Sequence, residues 1–109
     1  MADDVPKIGW MGQSGRTYQY WIYEIGTSFT DDVPANYIFS KQTTPGYWAA
    51  IYVGQTGDLK ERTADHHKME CVRKQGGTHI HAHINGSGEQ ARLDEETDLV
   101  RRLNPPCNG

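Results

Sequence analysis

The sequence lacks several features that would assign a class of protein directly. No apolar run approaches the length of a membrane-spanning helix, and no secretory signal opens the chain, so we predict no membrane segment. The two cysteines, Cys71 and Cys107, are too few for a disulfide framework, and their spacing matches no zinc motif. We therefore expect a reduced, cytoplasmic protein.

Positive charge is also scarce. The 109 residues include 11 lysines and arginines against 14 aspartates and glutamates, which gives a net charge of −3. Proteins that bind nucleic acids usually need a basic surface for phosphate contacts. Binding to nucleic acid is therefore expected to be weak and to depend on a local patch.

The common catalytic motifs are absent as well. The chain contains no P-loop, no GxGxxG turn, no HExxH helix and no nucleophile elbow. These absences remove support for nucleoside-triphosphate hydrolases, dinucleotide-binding enzymes, zinc proteases and serine hydrolases.

The patterns that are present predict one small α+β domain. Residues 1–16 contain several glycines without periodicity and are predicted to form a flexible N-terminal arm, followed by a single domain over residues 17–109. Predicted strands cover residues 17–25, 48–53 and 78–84, and predicted helices cover residues 58–75 and 89–103. Residues 26–45 are interpreted as a long insertion in the hairpin between the first two strands, in which residues 37–39 form a short strand or a packed loop. The expected fold is a three-stranded antiparallel sheet with helices packed on it.

We predict an active-site wall between residues 50 and 69, where a strand is followed by a glycine turn and a helix. Asp58 is the predicted N-cap of that helix. Leu59, Arg62, His66 and Met69 follow at steps of three, four and three, so they share one helix face. A purely structural helix seldom places a guanidinium and an imidazole in its apolar row.

The last predicted helix contains a carboxylate in its apolar row. Its inward positions are predicted to be Leu93, Glu96, Val100 and Leu103. Burying a carboxylate costs several kcal/mol unless a cation or hydrogen bonds compensate. Glu96 therefore forms a salt bridge with Arg62 or lies at the edge of the row, or else it is a metal ligand or an acid–base group.

The strand over residues 78–84 alternates between two kinds of side chain. Isoleucine and alanine occupy one face, and three histidines, His79, His81 and His83, occupy the other. Successive side chains on one strand face lie about 7 Å apart, so three of them seldom form a tetrahedral metal site. The pattern favours a polar sheet surface that faces solvent or substrate.

The unusual side chains form a chemical inventory that suits metal-assisted hydrolysis of a phosphodiester. It consists of hydroxyl and imidazole groups for protons, a guanidinium for a phosphoryl oxygen and a carboxylate for a divalent cation. The residues are Tyr20, Tyr52, Arg62, His66 and Glu96.

The sequence resembles a GIY-YIG nuclease domain, the module of homing endonucleases and of the incision protein in bacterial DNA repair by nucleotide excision. Residues 18–23 match the first signature, and residues 52–62 match the second signature with its arginine. Residues 96–100 match the late helix, and residues 104–108 resemble the closing proline–asparagine segment. The resemblance implies the same fold, a three-stranded antiparallel sheet flanked by helices.

The resemblance also implies roles for individual residues. Tyr20 and Tyr52 would position or activate the attacking water, and Arg62 would bind the scissile phosphate. His66 would assist proton transfer, with its neighbour as a competing candidate, and Glu96 would bind one Mg²⁺ or Mn²⁺ ion. Substrate contacts are predicted at Gly54, Lys60, His67 and Asn108, the last of which would also hold the C-terminal tail on the core.

Departures from the family pattern limit the expected activity. Tyr18 stands where the first signature has glycine, the connection between the signatures is long, and no second domain is available for recognition. We therefore expect weak or non-specific DNA cleavage, with a protein partner as a possible source of specificity. The alternative is an inactive module that binds nucleic acid or protein, in which Arg62 and Glu96 form a structural ion pair.

Overall fold

A five-stranded antiparallel sheet is the frame of the molecule. The computed structural model describes residues 5–29, 32–64 and 66–108. The elements along the chain are β1 (Lys7–Met11), β2 (Thr17–Glu24), β3 (Ala35–Thr44), β4 (Tyr47–Thr56), α1 (Leu59–Ala64), α2 (Met69–Lys74), β5 (His79–Ile84) and α3 (Glu89–Leu103). The strands lie in the order β1-β2-β5-β3-β4, and each neighbouring pair is antiparallel.

The predicted three-stranded sheet is wrong, although the mixture of helices and strands is as expected. The sheet has five strands, curls into a half-barrel and carries three helices. The two additional strands are β1, which contains Gly9, and β3, which follows Pro34. Both are held by backbone pairing with stronger neighbours, so tertiary context overrides weak local strand propensity.

The segment predicted as a flexible arm contains β1. This strand pairs along its whole length with β2, and its Trp10 is only 7% exposed. The turn that follows is tied to α3, because Asp98 accepts hydrogen bonds from the backbone N–H of Ser14 at 2.9 Å and from its hydroxyl at 2.7 Å. The segment therefore belongs to the folded unit, while the first four residues lie outside the described ranges.

β3 runs through the middle of the sheet and is covered on both faces. Every residue from Ala35 to Ser40 is buried, so the strand lacks the alternation that marks a strand with one exposed face. It joins β4 through a tight turn at Pro45 and Gly46, where the glycine has a φ of +83°. The segment interpreted as an insertion is therefore largely a central strand.

The helix predicted over residues 58–75 is two short helices, α1 and α2. Asp58 caps α1 as predicted, because its carboxylate accepts a hydrogen bond from the backbone N–H of Glu61 at 3.1 Å. Between the helices, Nδ1 of His66 accepts a hydrogen bond from the backbone N–H of Lys68 at 3.0 Å. This local bond competes with helical pairing, and His66 leaves the helix face on which it was predicted.

Helices cover both faces of the sheet. One face, which we call the α3 face, packs Leu99 against Trp10, Tyr20, Ile38 and Val53. The other, which we call the α1/α2 face, buries Leu59 and Val72 against Tyr37, Phe39, Ile51 and Ile80. Within the described ranges, no helix is long and apolar enough to cross a membrane.

α3 has the predicted length but a different buried row. Its buried residues are Arg92, Glu95 and Leu99, whereas Leu93 is 37% exposed. Glu96 is half-buried, on the flank of this row. The helix is thus rotated by about one residue from the predicted orientation, which gives its two adjacent glutamates different surroundings.

The three histidines of β5 alternate as predicted. The predicted exposure to solvent or substrate is wrong for His81, whereas His79 and His83 are partly exposed. All three point to the α3 face, and His81 is fully buried. Each ring bonds to a different partner: His79 to Thr78, His81 to Trp10 and Ser40, and His83 to Glu95. The face is polar because the sheet and α3 share hydrogen bonds across it.

The prediction of reduced cysteines is also wrong. Cys71 and Cys107 form a disulfide with a Cα–Cα distance of 5.9 Å, which joins α2 to the tail after α3. Their separation of 36 positions gives no sequence signal that the fold brings them together. The tail is also paired to the sheet, because the backbone N–H of Cys107 donates to the carbonyl of Ile51 at 3.0 Å.

Candidate active site

His66 lies in an aromatic pocket on the α1/α2 face. Its ring centroid is 5.5 Å from that of Tyr37, 4.9 Å from that of Phe39 and 5.1 Å from that of Tyr52, all edge to face. The register of the β3–β4 hairpin assembles this pocket, because Phe39 lies opposite Tyr52 and Tyr37 lies opposite Gly54. The imidazole is only 5% exposed.

The hydrogen bonds of His66 determine its tautomer. Nδ1 accepts the hydrogen of the Lys68 backbone, so Nε2 carries the proton of the neutral ring. Nε2 therefore donates to the hydroxyl oxygen of Tyr37, at 2.7 Å. Burial, aided by the charges of His67 and Arg62, lowers the pKa of His66 to about 4, so the ring is neutral near pH 7. Both nitrogens are occupied, and the ring holds Tyr37 in place.

Arg62 and Glu96 have opposite effects on the pKa values of the two tyrosines in this pocket. Burial raises the pKa of both Tyr37 and Tyr52; nearby Glu96 raises them further, and Arg62 lowers them. The guanidinium and the carboxylate are therefore close enough to influence both phenols. Arg62 is exposed on α1 and lines a cleft of about 360 Å³ with Gly57.

Glu96 is a half-buried carboxylate whose negative charge has little compensation from nearby cations. Burial raises its pKa, and Arg62 is the cation that opposes this shift. Within the described part of the chain, however, Arg62 and Glu96 form no direct ion pair. The carboxylate is therefore available to a ligand, and it is the group here that fits a hard cation.

The site has too few protein ligands for an all-protein metal cage. Among residues 5–29, 32–64 and 66–108, no three His, Cys, Asp or Glu side chains gather closely enough to hold a metal. Mg²⁺ does not require such a cage, because it keeps several waters and binds through one or two carboxylates and substrate phosphates. A single glutamate near an exposed arginine fits that pattern.

Gly54 contributes through the absence of a side chain. A Cβ at this position would lie 2.6 Å from Cζ of Tyr37 and 2.9 Å from Cε2 of Tyr52. A larger residue would therefore push the phenol of Tyr37 away from His66. Gly54 was predicted to contact the substrate, but its position in the structure makes room for the tyrosine.

The other predicted substrate contacts lie at different places. His67 is exposed and stacks on His66, with a centroid distance of 4.8 Å and an interplanar angle of 18°. Lys60 is exposed too, but it lines a different cavity, beside the start of the β2–β3 connection. Asn108 pairs its amide with the backbone N–H and carbonyl of Val53, both at 2.8 Å, and so holds the tail against β4 next to the site.

Tyr20 is not part of this cluster. It lies fully buried on the α3 face, where its hydroxyl donates to Oε2 of Glu95 at 2.5 Å. The structure thus brings together Tyr52, Arg62, His66 and Glu96, and it adds Tyr37, which was not among the predicted site residues. The sequence signal for Tyr37 was its place in a β-prone run, residues 37–39, ahead of a Pro-Gly turn.

Comparisons of the chain with models of known protein families, with curated proteins and with solved structures find no match. The chemistry of the cluster is therefore the basis for assigning a function. It combines two oriented phenols, a neutral imidazole, a guanidinium beside a cleft and a half-desolvated carboxylate.

Proposed function

We propose that the chain is a metal-dependent DNA endonuclease of the GIY-YIG type, with Tyr37 in the role predicted for Tyr20. One observation carries the proposal: Tyr37 is hydrogen-bonded to His66 at 2.7 Å, and Tyr52, Arg62 and Glu96 are all close enough to influence the pKa of Tyr37. Tyr37 also suits the resemblance better, because only a tight hairpin separates it from the second signature.

The residues on the α1/α2 face have distinct roles in this mechanism. Arg62 binds a non-bridging oxygen of the scissile phosphate and stabilises the charge that develops there. Tyr37 and Tyr52 keep their protons at neutral pH. Tyr52, which is half-buried, orients the attacking water directly, and the fully buried Tyr37 helps to position that water through its contact with Tyr52. His66 fixes Tyr37 and has no free nitrogen to accept a proton. The exposed imidazole of His67 is available to accept the proton of the water.

Glu96 would bind the divalent ion, Mg²⁺ or Mn²⁺. Its raised pKa shows that the folded chain leaves the negative charge poorly compensated, which favours a cation beside it. When bound, the ion supplies Lewis-acid polarisation of the phosphate. Glu96 would hold the ion, while Arg62 would bind the phosphate.

The proposed substrate is DNA, bound weakly and without sequence preference. The net charge of −3 leaves affinity to the local cations around Arg62, and a protein partner would supply specificity. The cytoplasmic location stays a prediction. The Cys71–Cys107 disulfide weighs against it, because such bonds persist mainly in oxidising compartments.

A nicking assay tests the proposal. Supercoiled plasmid is incubated with the purified protein and Mg²⁺ or Mn²⁺, and conversion to the open circle is followed. We expect nicking by the wild type that chelation abolishes and that falls by about 10²–10³-fold in Arg62→Ala and in Glu96→Gln. Arg73→Ala, which removes an exposed arginine from α2, is the matched control and should keep full activity.

The same assay decides between the enzyme and the inactive binding module. Retarded migration of DNA without nicking in either metal would favour the module. Nicking that survives both site substitutions would show that a contaminant or another part of the chain is responsible, and the proposal would be abandoned.

A further inference from the structure

A second polar cleft lies apart from the Tyr37–His66–Glu96 cluster. It has a volume of about 520 Å³ and opens between the start of β2, the end of β5 and the first half of α3. Its wall includes Arg16, His83 and Glu95. None of these three residues takes part in the nuclease mechanism proposed above.

Glu95 holds His83 in a defined orientation. The carboxylate is 4% exposed, and its Oε2 lies 2.9 Å from Nδ1 of His83. The same oxygen accepts the hydroxyl hydrogen of Tyr20, which remains a donor because burial and Glu95 raise its pKa well above the usual value. An ionised carboxylate only accepts hydrogen bonds, so Nδ1 of His83 carries a hydrogen.

The second ring nitrogen of His83 is the atom that a ligand can reach. Within the described residues, Nε2 forms no hydrogen bond, whereas Nδ1 is tied to α3. The side chain is 27% exposed and lines the cleft. A histidine with one nitrogen held by a buried carboxylate and the other on a cleft wall is oriented for ligand binding.

Glu95 has no cationic partner on its own helix within the described residues. A buried carboxylate needs a compensating cation, and the buried arginine of the same helix is bound elsewhere. Arg92 donates to Oε1 of Gln55 at 3.1 Å and to the carbonyl of Asn85 at 3.3 Å. His83 is thus the group in hydrogen-bond contact with Glu95 that can become cationic, and its Nε2–H then becomes a charge-assisted donor.

We propose that His83, positioned by Glu95 and Tyr20, binds a phosphate group in this cleft together with Arg16, and that binding is linked to proton uptake by His83. Glu95 from α3 and Tyr20 from β2 contact the imidazole. The other charged and titratable groups that line the cleft with it are Arg16 from the β1–β2 turn, Tyr18 from β2 and Asp94 from α3.

Because Asp94 and Glu95 are acidic, we expect phosphate binding in this cleft to depend on the proton that His83 takes up. Asp94 accepts a hydrogen bond from the amide of Gln90 at 2.8 Å, but its charge still opposes an anion. With His83 neutral, one arginine faces two carboxylates. With His83 protonated, two cations face them, and the cleft accepts phosphate. Binding should therefore weaken as the pH rises.

The phosphate has two possible sources that share this chemistry. It is either a backbone phosphodiester of the nucleic acid that the nuclease site would cleave, or a free phosphate or monoester. The first source rests on the proposed function, whereas the binding itself does not. The measurement is therefore made in the Arg62→Ala/Glu96→Gln background, where the nuclease site is disabled.

NMR of the imidazole resonances provides the test. Dimethyl phosphate, a monoanionic diester at both pH values, and inorganic phosphate are titrated separately at about pH 6 and about pH 8. We expect the His83 resonances to shift at the lower pH, with an affinity at least about tenfold weaker at the higher pH for the diester. His83→Gln should abolish this pH dependence, and Arg16→Gln should weaken binding at both pH values.

His79→Gln is the control, because this histidine is on the same strand but bonds to Thr78 instead of α3. It should bind as the parent does. Glu95→Gln, checked for folding by its thermal melt, should lose most of the pH dependence while keeping His83. Binding of the diester indicates nucleic acid as the source, and binding of inorganic phosphate alone indicates a free phosphate or monoester. If neither probe shifts His83 at the lower pH, or if His83→Gln binds like its parent, the proposal is overturned.

Discussion

Each face of the sheet buries one histidine whose two ring nitrogens are both hydrogen-bonded. On the α3 face, Nδ1 of His81 accepts the indole hydrogen of Trp10 at 2.9 Å, so Nε2 donates to the hydroxyl of Ser40 at 2.9 Å. On the α1/α2 face, His66 accepts a backbone hydrogen at Nδ1 and donates from Nε2 to Tyr37. The two rings therefore share a tautomer and a pattern of partners.

The surroundings of the two rings differ. Burial lowers the pKa of His81 to about 4, and the other titratable group that contributes is His79. The pKa of His66 falls to a similar value, but with contributions from His67 and Arg62 at the edge of an open cleft. A buried neutral histidine is thus a positioning device on both faces. The charged groups beside it decide whether it positions a core residue or a reactive one.

The largest expected effect is the difference in nicking between variants of Tyr37 and Tyr20, which lie on opposite faces of the sheet. Tyr37→Phe removes the hydroxyl that His66 positions, and we expect nicking to fall by about 10²-fold. Tyr20→Phe removes a donor to buried Glu95, so it should keep nicking but lower the free energy of unfolding by about 1–3 kcal/mol. Plasmid nicking and urea denaturation of both variants measure this contrast. Loss of nicking in Tyr20→Phe alone would reverse the assignment of the catalytic face.

The second prediction concerns the disulfide, which belongs to the α1/α2 side. Replacing Cys71 and Cys107 together by serine opens a loop of 36 positions, and we expect a loss of about 3–4 kcal/mol in the free energy of unfolding. Hydrogen exchange should rise most in α2 and the tail, and least around His81. Equal loss of protection on both faces would mean that the disulfide stabilises the sheet as a whole.

The sequence predicted α3 and the strands β2, β4 and β5 better than β1 and β3. α3 was recognised with its full length because its apolar spacing and the prolines after it act locally. β3 was not recognised, because a strand buried on both faces mixes Asn36 and Ser40 with apolar residues. Its identity depends on β4 and β5, which are distant in the sequence.

The candidate site was predicted in part for the same reason. Arg62, Tyr52 and Glu96 follow local motifs, and the structure brings them together. Tyr20 was predicted because residues 18–23 were matched to the first signature, and only the register of the sheet shows that the ring over Gly54 is that of Tyr37. Motif spacing selects residue types, but the face of a sheet is set by pairing with other strands.

The third prediction uses pH to compare the two histidines. Their folded pKa values lie near 4, below the value of about 6.5 for an unfolded chain, so the unfolded state binds more protons between these limits. The free energy of unfolding should be highest above about pH 6.5 and fall as the pH drops toward about 5, by roughly 1–3 kcal/mol in total. Urea denaturation across this range measures the slope.

Single substitutions show how much each face contributes to the change in the free energy of unfolding with pH. His66→Gln and His81→Gln should each remove about half of it, because each deletes one group that is protonated only on unfolding. His79→Gln removes only the smaller contribution to the lowered pKa of His81, where burial is the main cause, so it should keep most of the slope. A slope that survives in the double variant would assign the acid sensitivity to other groups.

The smallest expected effect compares two adjacent glutamates of α3. Glu95 accepts hydrogen bonds from Tyr20 and Asn85 and contacts His83. Glu95→Gln should therefore lower stability by about 1 kcal/mol, because an amide nitrogen replaces one acceptor.

Burial raises the pKa of Glu96, so its ionised form is less stable in the folded chain than in water. Glu96→Gln should therefore raise stability near pH 7, by no more than about 0.5–1 kcal/mol because solvent screens the half-buried charge. Thermal melts of the two variants should shift in opposite directions, and Mg²⁺ should stabilise the wild type but not Glu96→Gln. A lower melting temperature in both variants would show that Glu96 is a structural residue and not a cation ligand.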